Sequence, residues 1–395
     1  MTEAIRQANR RYNHAVSHPT GVVLSGGGAN GAYEVGVLKG LARGLSPSTA
    51  QQPLAPSVLA ATSIGSFNSA VLLSNLAESW SRATDALEKV WLERISLSGR
   101  ASGNGVFRVR ANPLSWIDVN ALRNDPLKPA RDLASDAVFL AKDWTSRARE
   151  FTTSSGSLER RAAELVDLST FVTPAPSEAL VRETVSLARV RAAHVALKVT
   201  TTRWRSGTLR LFSNADFTDT AGPSILLASG AIPGIFAPVP IDGEPFVDGG
   251  VVLNTPLKPA IDAGARTLHV IYLDPDPAAI PLRPVGSTID TVGRMFAISF
   301  AATMKRDLEI ASRINDGIHA VKAASRGESV RALEPLHMGG RGHEPLQIHL
   351  YHPRSDWGGA LGMLDFQRDR VAALIERGYN DAVNHDCAKA GCLAG

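Results

Sequence analysis

The segment Gly21-Val-Val-Leu-Ser-Gly-Gly-Gly-Ala-Asn-Gly31 decides the fold of this chain. Its first residues form an apolar run of the length of a buried strand, and residues 32–41 place apolar side chains at helical spacing. A strand, a glycine turn and a helix in immediate succession are typical of parallel sheets with helices packed on them. The glycine turn leaves backbone N–H groups free at the start of a helix, an arrangement that stabilises anions.

The same succession of elements occurs again within the first 95 residues. The run Ser57-Val-Leu-Ala-Ala61 predicts a second buried strand, Thr62-Ser-Ile-Gly65 a tight turn, and residues 66–92 a helix. Two such units predict an α/β fold with a mainly parallel central sheet. Further strands are predicted at 194–200 and 207–212 (a hairpin), 267–273 and 347–351, and helices at 293–314 and 366–382, the last with an interruption at Gly378.

Residues 96–190 differ from the regions on either side of them. They are rich in Arg, Ser and Ala without alternation of apolar and polar residues, which predicts a mostly helical insertion. We expect aromatic side chains to pack this insertion against the main body: Trp91, Trp116, Trp144 and Phe151. Its role stays open between a lid over a site and a stabilising element. The chain then divides into a polar lead-in (1–19), a main domain (20–275) that carries the insertion, and C-terminal helices with a late strand (276–395) packed on that domain.

The composition is that of a globular protein. Of the 395 residues, 44% are hydrophobic and 20% are charged, which excludes a disordered, collagen-like or coiled-coil chain. The net charge of +4 is small for this length and does not indicate a nucleic acid partner, although the excess of Arg over Lys suits phosphate or carboxylate contacts. No membrane-spanning run and no apolar core of a signal peptide are visible, so we expect a cytoplasmic or peripheral membrane protein.

Ser63 lies in a turn that favours a nucleophilic serine. The sequence Ala61-Thr-Ser-Ile-Gly65 places a hydroxyl between a strand and a helix with small residues on both sides, as in a nucleophile elbow. The usual pattern has glycine at both ends, and Ala61 keeps the small size at the first of them. A serine at the start of a helix also suits an N-cap, so the motif alone leaves both interpretations open.

The glycine loop at 26–31 is compatible with two kinds of chemistry. Gly26, Gly28 and Gly31 fit the G-x-G-x-x-G pattern of nucleotide- and dinucleotide-binding loops. That function requires an acidic residue about twenty positions further on, where residues 45–53 carry no charge, and the Lys of a P-loop is also absent. The alternative is an oxyanion hole, in which free backbone amides stabilise the tetrahedral intermediate of acyl transfer.

Asp248 is the candidate general base. It precedes two glycines in Phe246-Val-Asp-Gly-Gly250, and it follows the uncharged stretch 229–236. A carboxylate in apolar surroundings has a raised pKa and can accept a proton from a hydroxyl. An Asp-Gly-Gly sequence is also common in plain turns, so this segment by itself leaves the structural role open.

Taken together, the three segments resemble the patatin-like phospholipase family. Gly-Gly-Gly-Ala-Asn-Gly at 26–31 resembles the family's oxyanion loop, and Ala-Thr-Ser-Ile-Gly at 61–65 resembles its nucleophile motif. Val-Asp-Gly-Gly-Val at 247–251 resembles part of its C-terminal signature. The resemblance covers residues 20–95 and 193–275.

The resemblance implies a three-layer α/β/α fold and a lipid acyl hydrolase, of phospholipase A, lysophospholipase or esterase type, with 20–275 as its catalytic domain. Ser63 would be the nucleophile and Asp248 its proton acceptor, as a Ser-Asp dyad that needs no metal or organic cofactor. The oxyanion hole would consist of the backbone N–H groups of Gly26, Gly27 and Gly28. The motifs would be supported by Asn30, Gly31, Ala61, Gly65, Gly249 and Gly250. The partner would be a lipid or phospholipid, with peripheral contact to a membrane, and the oligomeric state is not predicted.

Two residues depart from the family pattern, and three alternatives stay open. Asn30 stands where the family often has Lys or Arg, so no headgroup preference is predicted, and Ala61 replaces a glycine. The alternatives are a nucleotide-binding protein that uses the glycine loop, a Ser-His-Asp triad with His269, which follows Asp248 in the chain, and an inactive protein of the same fold.

The sequence predicts no metal site. Four of the ten histidines cluster in the sequence but lack the short, regular spacing of metal ligands: His337, His343, His349 and His352. The two cysteines, Cys387 and Cys392, are too few for a disulfide framework, and we expect them to lie on a frayed, inert segment.

Overall fold

The computed structural model describes most of the chain. The described residues are 19–96, 104–110, 126–153, 172–273, 288–324, 344–353, 357 and 362–394. Their strands are β1 (Thr20–Leu24), β2 (Val58–Thr62), β3 (Arg108–Val109), β4 (Val172–Thr173), β5 (Ala196–Arg203), β6 (Leu209–Ser213), β7 (Val239–Ile241), β8 (Glu244–Asp248), β9 (Thr267–Ile271) and β10 (Gln347–Tyr351). Their helices are α1 (Gly31–Ala42), α2 (Ile64–Ser74), α3 (Trp80–Val90), α4 (Lys128–Thr153), α5 (Ala175–Thr184), α6 (Leu187–Ala192), α7 (Gly222–Ser229), α8 (Gly250–Leu253), α9 (Leu257–Asp262), α10 (Thr288–Ala324), α11 (Arg368–Val383) and α12 (Cys387–Ala390). The predicted lead-in lies outside the described residues, apart from its last position.

One central sheet organises the fold. Its strand order is β10-β9-β1-β2-β5-β8-β7, and β6 also pairs with β5. The five strands from β10 to β5 are parallel to one another, whereas β6 and β8 pair with β5 in the antiparallel direction. The predicted α/β fold with a mainly parallel sheet is confirmed, and so is the hairpin of β5 and β6.

The alternation of side chains along the central strands explains why helices cover both faces of the sheet. Val22 and Leu24 are fully buried in a hydrophobic core that includes residues of α1, α2 and α11. Val23, between them, is buried in a second core with residues of α9 and α10. Successive side chains of a strand point to opposite faces, so both faces of β1 are apolar and each needs its own helical cover. The result is a helical layer on each side of the sheet.

The closing helix α11 packs on α1 at very short range. A Cβ atom on Gly378 would lie 2.1 Å from the carbonyl oxygen of Tyr33. Across the same contact, Tyr33 Oη donates to Asp381 at 2.9 Å. The predicted interruption of the helix at Gly378 is wrong, because this glycine lets two backbones touch and the helix continues beyond it.

The helix predicted over 66–92 is two helices, α2 and α3. At the end of α2, the Asn75 side chain donates back to the carbonyl oxygen of Val71 at 2.8 Å. The next helix has its own N-cap, since the Ser79 side chain accepts the N–H of Arg82. A side chain that competes for backbone groups at one end and a cap at the next explain the break.

The described part of the insertion is mainly helical, as predicted. Trp91, which precedes the insertion, is fully buried, but Trp144 on α4 is 67% exposed, so the expected packing role of Trp144 is wrong. Helix α4 instead contacts β3 through Asp136, which accepts two hydrogen bonds from the Arg108 guanidinium at 2.7 and 2.9 Å. Trp116 and the side chain of Phe151 lie outside the described residues.

Candidate active site

Ser63 occupies a strained turn between β2 and α2. Its backbone has φ 53° and ψ −124°, a combination that residues with a side chain rarely adopt. A strained strand-to-helix turn is the geometry of a nucleophile elbow, which presents a serine hydroxyl at the end of a sheet. Ser63 is 7% exposed, and its side chain makes no capping hydrogen bond to the described residues of α2. The geometry therefore favours the elbow over the N-cap interpretation.

Ser229, at the end of α7, holds this turn in place. Its hydroxyl accepts the N–H of Ser63 at 2.9 Å, donates to the carbonyl oxygen of Thr200 at 2.9 Å, and lies 3.0 Å from Ser66 Oγ. All four residues are buried, so the amide of the strained residue is satisfied without water. Sequence reasoning missed Ser229, because its partner Ser63 is 166 positions away and no local pattern marks the contact.

Asp248 lies at the end of β8 and is 6% exposed. Its Oδ1 accepts the N–H of Gly250 at 2.7 Å. Burial raises the pKa of Asp248 to about 7, and its interactions with the Gly250 N–H and the nearby Ser63 hydroxyl oppose the rise. A carboxyl group with this pKa is matched to proton transfer near neutral pH. Ser63, Asp248 and Gly27 line one small cavity.

The glycine loop passes beside Ser63. The N–H of Gly26 donates to the carbonyl oxygen of Asn254 at 3.3 Å, and Asn254 Nδ2 donates to the carbonyl oxygen of Gly26 at 3.2 Å. The N–H groups of Gly27 and Gly28 donate to no acceptor within the described part of the chain. Of the three amides predicted for an oxyanion hole, the first is therefore engaged in a long hydrogen bond, and the other two are open.

A segment from the late part of the chain braces this loop. Gly28 has φ +56°, and a Cβ atom there would lie 2.3 Å from the carbonyl oxygen of Met363. The N–H of Ala29 donates to that same oxygen at 2.8 Å, and Arg370 Nη2 donates to Asn30 Oδ1 at 2.6 Å. Asn30, which stands where a basic residue was expected, is thus contacted by a basic residue from α11. Sequence reasoning missed Arg370, which lies 340 positions from its partner.

The other residues predicted to support the motifs fill close contacts around the two loops. A Cβ atom on Gly65 would lie 2.8 Å from the carbonyl oxygen of Leu24, so this position of the elbow has no room for a side chain. Ala61 pairs with Leu24 across β1 and β2 and is fully buried. Equally close contacts occur at Gly31, Gly249 and Gly250.

An apolar cavity of about 120 Å³ opens onto Ser63. Its walls include Phe67 of α2 and Leu226 of α7. The insertion contributes Phe107 and Leu180, so it forms part of the wall. Among the described lining residues none is charged, and a surface of this kind suits a hydrocarbon chain.

The described contacts of His269 are with His349 and Tyr351, and not with Ser63. Its ring stacks on that of His349 with centroids 4.9 Å apart, and its Nδ1 lies 3.3 Å from Tyr351 Oη. Burial lowers the pKa of His269 to about 3. Neither of the two cavities that contain Ser63 has a histidine among its described lining residues. The geometry gives the triad alternative no support.

The expectation of a frayed segment around the cysteines is wrong. Cys387 begins α12, and Cys392 follows that helix where Leu393 pairs with Ile348 in an antiparallel bridge. The two sulfur atoms each lie 3.4 Å from His385 Nε2. The backbone bridge orders this segment, because it adds a partner to the outer side of β10.

A serine on a strained turn, a buried carboxylate in the same small cavity and open amides beside them form an arrangement that serine hydrolases use. The family model for patatin-like phospholipases matches residues 22–261, and the chain belongs to this family. Among solved structures, VipD from Legionella pneumophila is similar to this chain with 15% sequence identity and a TM-score of 0.33, over 94% of this chain and 70% of that one. No curated protein matches it. Family membership confirms the resemblance noted in the sequence and makes the chain a lipid acyl hydrolase in general terms.

Proposed function

We propose that this protein hydrolyses carboxyl esters of lipids or phospholipids through an acyl-enzyme formed on Ser63, with Asp248 as the side chain that accepts the proton and returns it. The observation that carries the proposal is that Ser63 and the buried Asp248 carboxylate line one small cavity with the glycine loop, whose amides at Gly27 and Gly28 have no acceptor among the described residues. A hydroxyl, a base and oxyanion donors within one small volume are what acyl transfer requires.

In the first half of the reaction, Ser63 Oγ attacks the ester carbonyl carbon while its proton passes to Asp248. The negative charge that develops on the carbonyl oxygen is stabilised by the N–H groups of Gly27 and Gly28, with Gly26 as a further donor if its long bond to Asn254 opens. When the tetrahedral intermediate collapses, the bond to the alcohol breaks, and the leaving oxygen takes the proton from Asp248.

In the second half, water takes the place of the alcohol. Asp248, ionised again, accepts a proton from water as the water oxygen attacks the acyl carbon. Collapse of this second intermediate breaks the bond to Ser63 Oγ, which recovers the proton, and a free fatty acid leaves. No histidine is required, because the carboxyl group itself has a pKa near neutrality.

The apolar cavity supports an acyl chain as the part of the substrate that is bound most deeply. Its described lining carries no charge, so a phosphate or an amine would lose its hydration there without compensation. The insertion contributes part of the wall, and we therefore propose that residues 96–190 belong functionally to the catalytic domain and help to hold the acyl chain.

Exposed hydrophobic residues near the site support peripheral contact with a membrane. Val251 and Val252 lie on α8 and Met295 and Ile298 on α10, two helices that meet at the small cavity with Asp248, and all four are exposed. Among the described helices none combines the length and hydrophobicity needed to cross a bilayer. Sedimentation with phosphatidylcholine–phosphatidylglycerol vesicles should weaken in Met295→Asp and not in Ile310→Asp, an exposed position elsewhere on α10. Equal binding of both variants would remove this part of the proposal.

Nucleotide binding is not favoured. In dinucleotide-binding folds the residue at the end of the second strand is acidic and contacts the ribose. Here β2 ends at Thr62 and is followed by the strained Ser63.

The central test compares Ser63→Ala with Ser69→Ala, a matched control. Ser69 is a buried serine on the same helix whose Oγ has no hydrogen-bond partner among the described residues. Each protein is incubated with a mixed panel of triacylglycerol, phospholipid and lysophospholipid, and the released fatty acids are measured by mass spectrometry. We expect release by the wild type and by Ser69→Ala, and none by Ser63→Ala.

Labelling with a fluorophosphonate gives an independent measurement of the nucleophile. The probe should attach covalently to Ser63 in the wild type and in the control, and should not label Ser63→Ala. Fatty acid release that persists in Ser63→Ala, or labelling at another serine, would overturn the proposed mechanism.

A further inference from the structure

Two histidines and two cysteines meet at the outer edge of the sheet. His349 lies on β10, His385 follows α11, Cys387 begins α12 and Cys392 follows α12. One ring nitrogen from each histidine and the two sulfur atoms all lie within 4.8 Å of one another. These are the side chains that bind zinc in structural sites.

Three of the six distances between the ligand atoms match those around a tetrahedral ion, and all six are within 4.8 Å. Cys387 Sγ lies 3.4 Å from His349 Nδ1 and 3.4 Å from His385 Nε2, and Cys392 Sγ lies 3.4 Å from the same His385 nitrogen. With usual Zn–S and Zn–N lengths, sulfur and nitrogen on one tetrahedral zinc are about 3.5 Å apart. An ion at the centre would therefore need little movement of the side chains.

The backbone around the cysteines holds both sulfurs in position. The Asp386 side chain caps α12 through the N–H groups of Ala388 and Lys389, and Gly391, with φ +73°, reverses the chain after it. The reversal brings Cys392 alongside β10, where its sulfur accepts the N–H of Leu350 at 3.2 Å. A backbone N–H directed at sulfur is a contact that stabilises a thiolate, the form in which cysteine binds metals.

The histidines are fixed as well. The His349 ring is buried and stacks on His269, and the His385 ring is buried and lies 4.5 Å from that of Tyr351. The four ligand atoms thus come from one strand and from the short segment 385–392, so an ion would join these two parts of the chain.

We propose that His349, His385, Cys387 and Cys392 bind one zinc ion, with Nδ1 of the first histidine and Nε2 of the second as ligand atoms. Four protein ligands leave no position for substrate, so the role is structural: the ion attaches the segment after α11 to the edge strand of the sheet. None of the four lines either cavity at Ser63, and the proposal does not depend on the proposed function.

The test determines how much zinc the full-length protein binds. The protein is purified with a reductant and without chelators, and bound zinc is determined by elemental mass spectrometry. We expect about one zinc per chain in the wild type, as for a closed four-ligand site, and at least about a tenfold loss in Cys387→Ser/Cys392→Ser and in His385→Gln. His352→Gln is the matched control, because His352 lies at the end of the same strand outside the cluster, and it should keep its zinc.

Two measurements on the wild type keep the proposal testable if a variant does not fold. After metal removal, Co²⁺ should give the visible absorption bands of tetrahedral thiolate coordination. Both thiols should react slowly with Ellman's reagent when zinc is present and rapidly after a chelator is added. A chain that retains no zinc and gives no such cobalt spectrum, or a cysteine double variant that retains as much zinc as the wild type, would overturn the proposal. A Cys387–Cys392 disulfide, seen as a mass two hydrogens lower under reducing purification, would also overturn it.

Discussion

The nucleophile turn and the glycine loop lie side by side, but different parts of the chain hold them. The turn at Ser63 is fixed from within the core by Ser229, whose hydroxyl is also bonded to Thr200 of the central sheet. The glycine loop is braced from outside the core by Met363 and Arg370.

The two supports also differ in their relation to the family. Ser229 and Thr200 lie inside the region 22–261 that matches the family model, whereas Met363 and Arg370 lie beyond it. In the proposed mechanism, attack by the nucleophile would thus depend on the common core, and stabilisation of the intermediate would depend on a contact added by the later part of this chain. Substitutions of the two kinds should change different steps.

Asp248→Asn should have the largest effect on activity. Asp248 is the proposed base for Ser63, and both the turn at Ser63 and the glycine loop act on the reaction that this base starts. Loss of the base should lower kcat/KM by about 10²–10⁴-fold, as for other general bases.

In the wild type, kcat/KM should rise through about pH 7, where the buried carboxyl group ionises, and should fall tenfold per pH unit below it. Hydrolysis of a p-nitrophenyl acyl ester measures both, with the exposed Asp262→Asn as control. A profile that is flat across neutral pH would contradict the assignment.

The same substitution should have the opposite effect on stability. Because the folded state raises the pKa of Asp248, the native protein binds this proton more tightly than the unfolded chain does. The wild type therefore loses stability as pH rises from about 4 to about 7, by at most about 4 kcal/mol, and the uncharged Asn does not. In urea unfolding at several pH values, the free energy of unfolding of Asp248→Asn should increase relative to that of the wild type up to about pH 7. A difference in unfolding free energy that does not change with pH would show that burial does not raise the pKa of Asp248.

Gly28→Ala breaks the glycine loop and leaves the nucleophile turn untouched. The added methyl group cannot fit against the carbonyl oxygen of Met363, so the open amides must move. Displacing oxyanion donors should cost about 10²–10³-fold in kcat. Gly207→Ala is the control, since Gly207 has a similar φ of +65° with open space around it. Equal activity of the two variants would show that the loop does not act in the reaction.

Ser229→Ala breaks the support of the nucleophile turn. It leaves the buried N–H of Ser63 without its acceptor, which should cost about 1–3 kcal/mol of stability. Misplacement of the attacking oxygen should lower kcat by up to about 10²-fold with little change in KM. Fluorophosphonate labelling should slow in parallel, while Ser69→Ala keeps the wild-type rate. A wild-type rate of labelling in Ser229→Ala would mean that the turn at Ser63 keeps its geometry without the Ser229 hydroxyl.

Arg370→Met should have the smallest effect. It removes the hydrogen bond to Asn30 and those to the carbonyl oxygens of Asp365 and Trp357, but the N–H of Ala29 keeps its bond to Met363. We expect the glycine loop to lose about 1 kcal/mol of support, or roughly fivefold to tenfold in kcat. Arg377→Met, on the same helix, should change kcat by less. If Arg370→Met lowers activity as much as Ser229→Ala, the two regions are not supported independently.

The sequence predicts those parts of the site that are encoded by neighbouring residues. Ser63 has the small residues Ala61 and Gly65 two positions to either side, and Gly28 lies between Gly27 and Ala29, so a strand, a turn and a helix can be recognised together. Ser229 and Arg370 act through contacts 166 and 340 positions apart, and nothing near them in the chain marks these roles. Gly378 shows the same limit for the fold. In the sequence, a glycine that allows a neighbouring helix to pack closely cannot be told from a glycine that ends the helix in which it lies.

The cysteine–histidine cluster escaped prediction for a related reason. A metal site is recognised in a sequence by the short, regular spacing of its ligands, and His349 joins the segment 385–392 only because β10 runs beside it. Of the four histidines considered, His352 takes no part in the cluster, and His337 and His343 lie outside the described residues.

The pairing of Leu393 with Ile348 has a consequence for how the protein behaves in concentrated solution. Strand β10 is the last of the sheet, and its side chains include Ile348, Leu350 and Tyr351, all buried. An uncovered apolar strand at a sheet margin recruits strands of other molecules. The short return of the chain after Gly391 shields that margin, and deleting residues 391–395 should turn a monodisperse preparation into one prone to self-association.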